Sequence, residues 1–451
     1  MKLWRLTAIQ LAAGYRSRNF DPVQALDACL ERLDEVNPVL NAIVTVDRDG
    51  ARQAAIESAK RWKAGIPLST LDGVPFTVKD NLFVKGMRAT WGSKAYESFV
   101  PEHDDLSVAK MRAAGAIVIG KSNTPEFALA GHTDNPVFGS TGNPWGPDLS
   151  SGGSSGGAAS GLVVGIAPLA LGTDAGGSTR RPASHCGCFG LRTSIGLISR
   201  RHGFPSLAHD YQTMGLLARS IGDIRLMLDH VGTAGIRNSG QPRPLKIAAV
   251  CKIGDHPVDP EIRIAFTSFA DAVRTLGASV TEISPPFDPD ESTALFMDIA
   301  AAGVARVIEA LSDEADSVTA PMRVLAEKGR GKTATDYIRT MDAVGAFRWK
   351  FIDFFEKWDF LILPTAAALP WPRTQPAPST IDGRAAGPRA SAIYTTFANI
   401  AGLPGISLPF ATSDNGLPIG MQIVGPVGSD HALIDLAESL KLKERPLPLS
   451  E

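Results

Sequence analysis

Apolar residues follow a helical period in the first 65 positions of the chain. Asp21 and Pro22 match a helix N-cap followed by a proline at the first helical position. The apolar positions that follow recur every three or four residues: Val23, Leu26, Cys29, Leu30 and Leu33. This pattern predicts a helical lead-in over residues 1–65 that packs on the rest of the protein.

From Gly73 onward, short apolar runs alternate with helical stretches. The strand-like runs cover 74–78, 116–119, 168–171, 245–250, 279–283, 359–363, 405–410 and 418–424. Helical periods cover 104–114, 260–277, two long segments within 290–357, and a last helix from about residue 430. The alternation predicts an α/β protein with a mixed, twisted sheet between helical layers. We expect one large domain over 66–451, with helical additions at the N-terminus and at 290–357.

A proline-rich segment interrupts this pattern at 364–388. Its six prolines block the hydrogen bonds of helices and sheets, so we expect an irregular surface loop. Because long ordered loops are usually functional, the segment is predicted to border the entrance to a site. Trp371 is then a candidate lid or pocket residue; the alternative is a loop anchor packed on its own neighbours.

Composition and charge exclude several classes of function. The chain has 45 Lys plus Arg and 47 Asp plus Glu, a formal charge of −2, which makes nucleic acid and anionic membranes poor partners. The uncharged stretch 149–173 is rich in Ser and Gly and contains Pro168, so it predicts a loop and a buried element, not a membrane helix. A small-molecule substrate fits this balance better, and we expect a monomer or homodimer.

Four cysteines are too few for a disulfide scaffold in 451 residues, which favours a reducing, cytoplasmic setting. Cys186 and Cys188 form a C-x-C motif beside His185, but no second ligand pair at zinc spacing follows. The sequence therefore predicts small buried thiols and no metal site.

Two familiar motifs fail the test of their local context. Residues 115–122 match the phosphate-binding string G-x-x-x-x-G-K-[ST], but 116–119 is a strand-forming run, and the Asn-Thr-Pro that follows prevents a helix from starting at Lys121. Ser107 and Lys110 match S-x-x-K, but the companion motifs are absent. We interpret this pair as the wet face of an ordinary amphipathic helix.

A third motif, G-x-S-x-G at 152–156, is the nucleophile elbow of α/β-hydrolases. Histidines occur downstream of it, but the elbow has to follow a strand directly. The preceding residues 143–148 have turn chemistry, so Ser154 is not expected on a strand-to-helix corner. An esterase of the α/β-hydrolase type is therefore a weaker interpretation.

A more specific pattern is shared by three separate segments. An apolar strand within 73–81 ends at Lys79, a Gly/Ser loop covers 150–157, and a second Gly-Gly-Ser motif lies within 172–183. Together these segments resemble the amidase signature family of serine hydrolases. The resemblance is detailed over the signature core 71–199, looser further on at 218–220 and 416–426, and it implies that family's fold.

The family resemblance assigns roles to matching residues. It implies a Ser-cisSer-Lys triad in which Ser178 is the nucleophile, Ser154 is the bridging serine after a cis Gly153–Ser154 peptide, and Lys79 is the base. It also implies an oxyanion hole built from the amides that lead into the nucleophile: Ala175, Gly176, Gly177 and Ser178.

The residue types are consistent with this chemistry on physical grounds. A serine hydroxyl needs a base to take its proton, and lysine serves only when burial lowers its pKa, which the strand context of Lys79 supplies. Tandem glycines before Ser178 leave backbone N–H groups free to point at one oxygen.

Other residues near the motifs have supporting assignments. Ser155, Asp174 and Arg180 are expected to brace the loop rather than to react. Ala128 and Arg181 are candidates for the substrate pocket; the alternative for Arg181, which the sequence favours, is a surface arginine.

The predicted activity is hydrolysis of a carboxylic amide, anilide or carbamate through an acyl-enzyme, without a metal or cofactor. Within the family, the alternative is the glutaminase subunit of a tRNA-dependent amidotransferase, which would need partner subunits. Outside enzymes, the alternative is a binding protein on an inactive hydrolase fold, against which the intact Lys79, Ser154 and Ser178 argue.

Overall fold

An eleven-stranded mixed sheet forms the centre of the protein in the computed structural model, which describes residues 2–233, 244–442 and 445–449. The strands are β1 (Ile43–Val46), β2 (Pro75–Lys79), β3 (Ile117–Ser122), β4 (Gly142–Asn143), β5 (Gly146–Ser150), β6 (Leu169–Asp174), β7 (Phe189–Arg192), β8 (Thr213–Ala218), β9 (Lys246–Ala249), β10 (Ser279–Glu282), β11 (Phe360–Pro364), β12 (Thr380–Ile381), β13 (Arg384–Ala385), β14 (Gly405–Thr412) and β15 (Pro418–Val424). The order in the sheet is β1-β3-β2-β6-β8-β7-β14-β15-β11-β9-β10, and two small hairpins, β4–β5 and β12–β13, lie outside it.

Helices flank this sheet. They are α1 (Ala8–Arg16), α2 (Pro22–Leu40), α3 (Arg48–Ala64), α4 (Leu106–Ala113), α5 (Gly156–Val163), α6 (Arg180–Cys186), α7 (Ile221–Val231), α8 (Pro260–Thr275), α9 (Pro289–Ala310), α10 (Ala320–Arg330), α11 (Ala334–Lys357), α12 (Thr396–Ile400) and α13 (Asp430–Ser439). Every residue of β2, β3, β6, β7, β8, β11 and β15 is buried, as expected for a sheet covered on both faces. The predicted fold class is confirmed. Within the described ranges, no helix is both long and apolar enough to cross a lipid bilayer.

The sequence suggested that the N-terminal lead-in is wholly helical, but the structure also contains a strand there. Helix α2 begins as predicted, with Asp21 accepting from the Gln24 amide in a capping box and Pro22 in the first turn. However, β1 joins the edge of the main sheet and pairs antiparallel with β3. Its four residues are too few for a period to show in the sequence. The division of the chain into a lead-in over 1–65 and a domain over 66–451 stays a prediction.

The helical addition contains three α-helices, not two. Helices α9 and α10 are separated by a 3-10 segment at Ser312–Ser317, and α11 starts anew at its own capping box, where Thr333 and Asp336 exchange hydrogen bonds. The α9–α10 contact is close: a side chain at Gly329 would lie 2.2 Å from the Ala301 carbonyl oxygen. The sequence predicted two long segments here, and the start of α10, with Pro321 in its first turn, is the one it missed.

The proline-rich segment also departs from its prediction. It contains the hairpin β12–β13, and Trp371 and Ile381 within it are buried. The prolines prevent long β-sheet hydrogen-bond ladders, but they allow a hairpin with two residues in each strand and the burial of single side chains. The segment is therefore partly packed into the protein rather than an irregular surface loop.

Candidate active site

Lys79 is the last residue of β2 and is fully buried in the sheet. Its Nζ lies 2.7 Å from Ser154 Oγ and 3.2 Å from Thr173 Oγ1, and no carboxylate forms an ion pair with it in the described chain. Burial holds the pKa of the Lys79 ammonium well below its ordinary value, and the charge of Asp174, which acts in the opposite direction, does not offset it. The site therefore favours the neutral amine, which is the form that can accept a proton.

Ser154 lies on the loop between β5 and α5 and is 1% exposed. The Gly153–Ser154 peptide is cis, as the family resemblance implied. Space around Gly153 is closed: a Cβ there would lie 2.7 Å from the His132 carbonyl oxygen and 2.8 Å from that of Ala130. Only glycine fits at this position, which explains the Gly-Gly-Ser sequence of the loop.

Ser178 lies on the loop between β6 and α6. Strands β2 and β6 are parallel neighbours, so Lys79 and this loop come together at the same edge of the sheet. The Ser155 amide donates to the Ser178 carbonyl oxygen at 3.1 Å and joins the two Gly/Ser loops. Ser178 is 6% exposed, more than Ser154 or Lys79, and its hydroxyl forms no hydrogen bond with any described residue. Of the three side chains, its hydroxyl is the one that a substrate can best reach.

Asp174 organises the Ser178 loop. Its fully buried carboxylate accepts from the amides of Gly177 at 2.7 Å and Thr179 at 3.0 Å, and it forms an ion pair with Arg180 at 3.1 Å. Burial alone would raise its pKa, but the charge and hydrogen bonds of Arg180 outweigh it and hold the pKa of Asp174 far below its ordinary value. Asp174 and Arg180 thus contact the loop where bracing requires them, and Ser155 adds a 3.3 Å bond from its hydroxyl to the Thr173 carbonyl oxygen.

The structure narrows the predicted oxyanion hole. The Gly177 amide already donates to Asp174, so it does not point freely at a substrate oxygen. The amides of Ala175, Gly176 and Ser178 donate to no acceptor among the described residues. These three are therefore the amides available to an oxyanion.

Several residues of the site were missed in the sequence. Thr173 and Asn81 lie inside the quoted motifs, where Asn81 Nδ2 donates to Thr173 Oγ1 at 2.9 Å beside Lys79. Asn399 comes from α12, more than 200 residues away, and its Nδ2 donates to Asp174 at 2.9 Å. Gln422 of β15 accepts from Arg180 at 3.2 Å. Thr173 and Asn81 were detectable as polar residues in buried strand ends, but no local signal identifies Asn399.

The two weaker motifs are excluded by their geometry. Lys121 of the phosphate-loop string is a fully buried strand residue, 3.1 Å from Asp80. Ser107 and Lys110 do not meet, because Ser107 donates to Asp105 at 2.8 Å and Lys110 donates to the Val231 carbonyl oxygen at 2.8 Å. Placing Ser107 on a wet face was wrong: it is fully buried because it belongs to the cap of α4.

The nucleophile elbow is also absent, although a strand does precede Ser154. The sequence predicted only turns at 143–148, whereas the structure forms the hairpin β4–β5 there. Strand β5 ends four residues before Ser154 and lies outside the main sheet. Ser154 Oγ contacts Lys79 and no histidine in the described residues, so the arrangement that an elbow requires does not form.

A cavity of about 730 Å³ lies next to residues that pack on the two Gly/Ser loops, although its wall contains no residue of either loop. Its wall includes Ala130 and His132, whose carbonyl oxygens face Gly153, and Arg389, whose Nη2 lies 3.5 Å from the position of a Cβ on Gly176. Helices α9 and α10 contribute apolar side chains, among them Met297 and Leu325. The cavity is thus connected to the loops through Ala130, His132 and Arg389.

Of the two predicted pocket residues, neither is part of the cavity wall itself. Ala128 is half-buried just before the wall segment. Arg181 is buried behind Gly131, where its Nη1 lies 3.0 Å from the position of a Cβ on that glycine. Because Gly131 has no side chain, the guanidinium of Arg181 borders the cavity.

The proline-rich segment contributes to this cavity through its later part. Pro376, Ala377, Gly387 and Pro388 lie on the wall. Trp371 does not: its Nε1 donates to the Gln375 carbonyl oxygen at 2.9 Å and its ring packs edge-on against His185 at 5.4 Å. Trp371 is therefore an anchor of its own loop, and the lid interpretation is wrong.

No cluster of three or more His, Cys, Asp or Glu side chains that could hold a metal ion occurs among the described residues. Cys186 and Cys188 are buried, and burial raises the pKa of the Cys188 thiol to about 12. These cysteines therefore pack as small apolar side chains, as the sequence predicted.

Comparison with known proteins shows the family to which the chain is similar. A family model described as Amidase matches residues 24–434. The chain is 32% identical to an acylamidase from Rhodococcus erythropolis, over 97% of this chain and 95% of the relative. It is also 32% identical to a glutamyl-tRNA(Gln) amidotransferase subunit from Geotalea daltonii, over 96% of each. The crystal structure of a bacterial aryl acylamidase of the amidase signature enzymes superposes with a TM-score of 0.88 at 25% identity, covering 97% of this chain and 96% of the other.

Proposed function

The chain belongs to the amidase signature family of amide-hydrolysing enzymes, and we propose that it cleaves a carboxylic amide or amide-like bond through an acyl-enzyme on Ser178. One observation carries this assignment. Lys79 is fully buried without a carboxylate partner in the described chain and lies 2.7 Å from Ser154 Oγ, on a loop bonded to the Ser178 backbone. A neutral amine in that position can act as a base that takes the proton of Ser154.

In the proposed mechanism, Ser178 Oγ attacks the carbonyl carbon while its proton passes to Ser154 Oγ. The Ser154 proton passes in turn to the lone pair of Lys79 Nζ. The amides of Ala175, Gly176 and Ser178 stabilise the negative charge that develops on the carbonyl oxygen. The same relay returns the proton to the leaving nitrogen, and water then hydrolyses the acyl-enzyme.

The remaining features of the protein fit a small-molecule enzyme. We infer that residues 66–451 form the catalytic unit and that the chain acts as a monomer or homodimer in the cytoplasm. All four cysteines are free thiols, which supports a reducing compartment.

Turnover by the purified chain tests the proposal. We expect the single chain, without added proteins, to hydrolyse an aryl amide such as a 4-nitroanilide, and Ser178→Ala to abolish that activity. Lack of turnover on amides, anilides and carbamates alike would contradict it. Ester hydrolysis that survives Ser178→Ala but not Ser154→Ala would instead favour the elbow mechanism.

A second function remains a candidate because of one finding. The 32% identity to the amidotransferase subunit of Geotalea daltonii extends over 96% of both chains. If the chain is such a component of a complex, it releases ammonia from glutamine only when partner subunits are added. An ammonia assay with glutamine, run beside the aryl amide assay on one preparation, separates the two functions.

A further inference from the structure

Two arginines beside the Ser178 loop lack the partners that buried arginines normally have. Arg181 is 6% exposed, its side chain donates no hydrogen bond to the described protein, and its Nε is buried without an acceptor. Arg389 is half-buried; its Nη2 donates to Thr396 at 3.1 Å and its plane covers the Phe296 ring at 4.8 Å, but its Nε also has no acceptor. Neither guanidinium forms an ion pair in the described chain.

The two other buried arginines of the site, Arg180 and Arg192, form several hydrogen bonds each. Arg180 bonds with Asp174, Asn399 and Gln422. Arg192 donates from Nη1 at 2.8 Å to the carbonyl oxygens of Asp174 and Tyr211, and also bonds the Leu403 carbonyl oxygen. Removing a cation from water without compensation is expensive. The buried Arg181 and the Nε of Arg389 therefore lack a partner that a bound anion can supply.

The two groups lie against adjacent glycines of the Ser178 loop, Arg181 against Gly177 and Arg389 against Gly176. A Cβ on Gly177 would be 3.0 Å from Arg181 Nε, and a Cβ on Gly176 would be 3.5 Å from Arg389 Nη2. Burial lowers the pKa of Arg181 to about 9, and the nearby charge of Arg389 contributes in the same direction. The two cations are therefore close enough to act on one ligand.

We propose that Arg181 and Arg389 together bind a carboxylate of the substrate, so that the preferred substrate is an amide that carries a carboxylate near the scissile bond. A guanidinium presents a planar set of donors that matches two carboxylate oxygens. Because both arginines contact the glycines that immediately precede Ser178, the bound carboxylate lies only a few bonds from the carbonyl that Ser178 attacks. A half-amide of a short dicarboxylic acid meets this requirement. The proposal rests on the proposed amidase function.

Lys328 provides a control residue that separates a specific carboxylate site from general electrostatic attraction. Lys328 also lies on the wall, but it is exposed on α10 and contributes only a general positive field. Asp290, also on the wall, forms no ion pair with either arginine in the described residues. A specific carboxylate site therefore depends on the two arginines, whereas simple attraction of anions depends equally on Lys328.

The kinetic test compares two substrates that differ only in charge: succinic acid mono-4-nitroanilide and its methyl ester. We expect the charged-to-neutral ratio of kcat/KM to fall about 10- to 100-fold in Arg181→Met and in Arg389→Met, the range of a charge-assisted hydrogen bond. Lys328→Met should change this ratio less than about threefold. An equal effect of all three variants, or a wild-type ratio at or below one, would overturn the proposal.

A binding test separates this proposal from the catalytic one. Calorimetry on the Ser178→Ala protein measures succinate and glutarate binding without turnover, and adding Arg389→Met should weaken it at least tenfold. Absence of dicarboxylate binding refutes the carboxylate site even if the neutral anilide is hydrolysed, which leaves the amidase function standing. Since Arg181 has no internal side-chain partner to lose, its Met variant should not melt below wild type; a marked loss of stability would show a structural role instead.

Discussion

Replacing Lys79 with methionine should inactivate the enzyme and at the same time stabilise it. A lysine with the ordinary pKa of about 10.4 costs about 4.6 kcal/mol to deprotonate at pH 7, because each pKa unit is worth about 1.36 kcal/mol. Folding bears this cost if the buried amine is neutral, since no carboxylate in the described chain pairs with it. Methionine has a similar volume and no charge to desolvate.

The loss of contacts offsets part of this gain. Lys79 contacts Ser154 and Thr173, and each hydrogen bond contributes about 1 kcal/mol net. We therefore expect the free energy of unfolding to rise by about 2 kcal/mol in Lys79→Met. The difference should shrink as the pH rises towards the ordinary lysine pKa, because the unfolded lysine then loses its proton as well. Activity should fall by about 10⁴-fold, the scale seen when one member of a catalytic unit is removed.

Lys121 on the neighbouring strand provides the matched control. It is equally buried, but it pairs with Asp80 at 3.1 Å. Lys121→Met leaves that carboxylate without its counter-charge and should destabilise the protein by about 3–5 kcal/mol. Thermal melts of both variants at pH 7 and 9, with nitroanilide kinetics, measure the contrast. If Lys79→Met melts as far below wild type as Lys121→Met, or keeps a tenth of the activity, Lys79 is not a neutral base.

Three further predictions concern the same site. The pH profile of kcat/KM should fall on the acid side, because protonation of Lys79 removes the base, and its lowered pKa places this fall below the ordinary lysine range; a rate that rises as the pH drops contradicts the assignment. Asp174→Asn should lower the free energy of unfolding by about 3–5 kcal/mol in denaturant titration, since Arg180 stays buried without a counter-charge, and unchanged stability would refute the bracing role. Trp371→Ala should cost about 3–5 kcal/mol of stability with little effect on KM, whereas an unchanged melt with an altered KM would restore the lid.

The sequence was sufficient to predict the parts of the site that lie in contiguous motifs. Lys79 and the Ser178 loop occur where their strand and glycine motifs place them, and the cis Gly153–Ser154 peptide occurs where the family resemblance implied it. It was not sufficient for Asn399 and Gln422, which reach Asp174 and Arg180 only after the C-terminal strands join the sheet. The hydrogen bond from the Gly177 amide to Asp174 likewise depends on the three-dimensional geometry of the loop, which residue types alone do not reveal.

The fold shows the same division. Long periodic helices such as α8 and α11 were detected, whereas β1, with four residues, was read as part of a helical lead-in. The break between α9 and α10 was missed although Pro321 in the first turn of α10 is a helix-start signal. Trp371 could be assigned as an anchor only when its indole partner and its contact with His185 were visible.

Covalent labelling tests most directly that Ser178 is the nucleophile. Trypsin leaves Ser154 and Ser178 on one peptide, because no Lys or Arg lies between Lys121 and Arg180. Cleavage before aspartate separates them into 148–173 and 174–209. After treatment with a fluorophosphonate, mass spectrometry should find the adduct on 174–209 at Ser178, absent in Ser178→Ala and slow to form in Lys79→Met. An adduct on 148–173 at Ser154 would contradict the account.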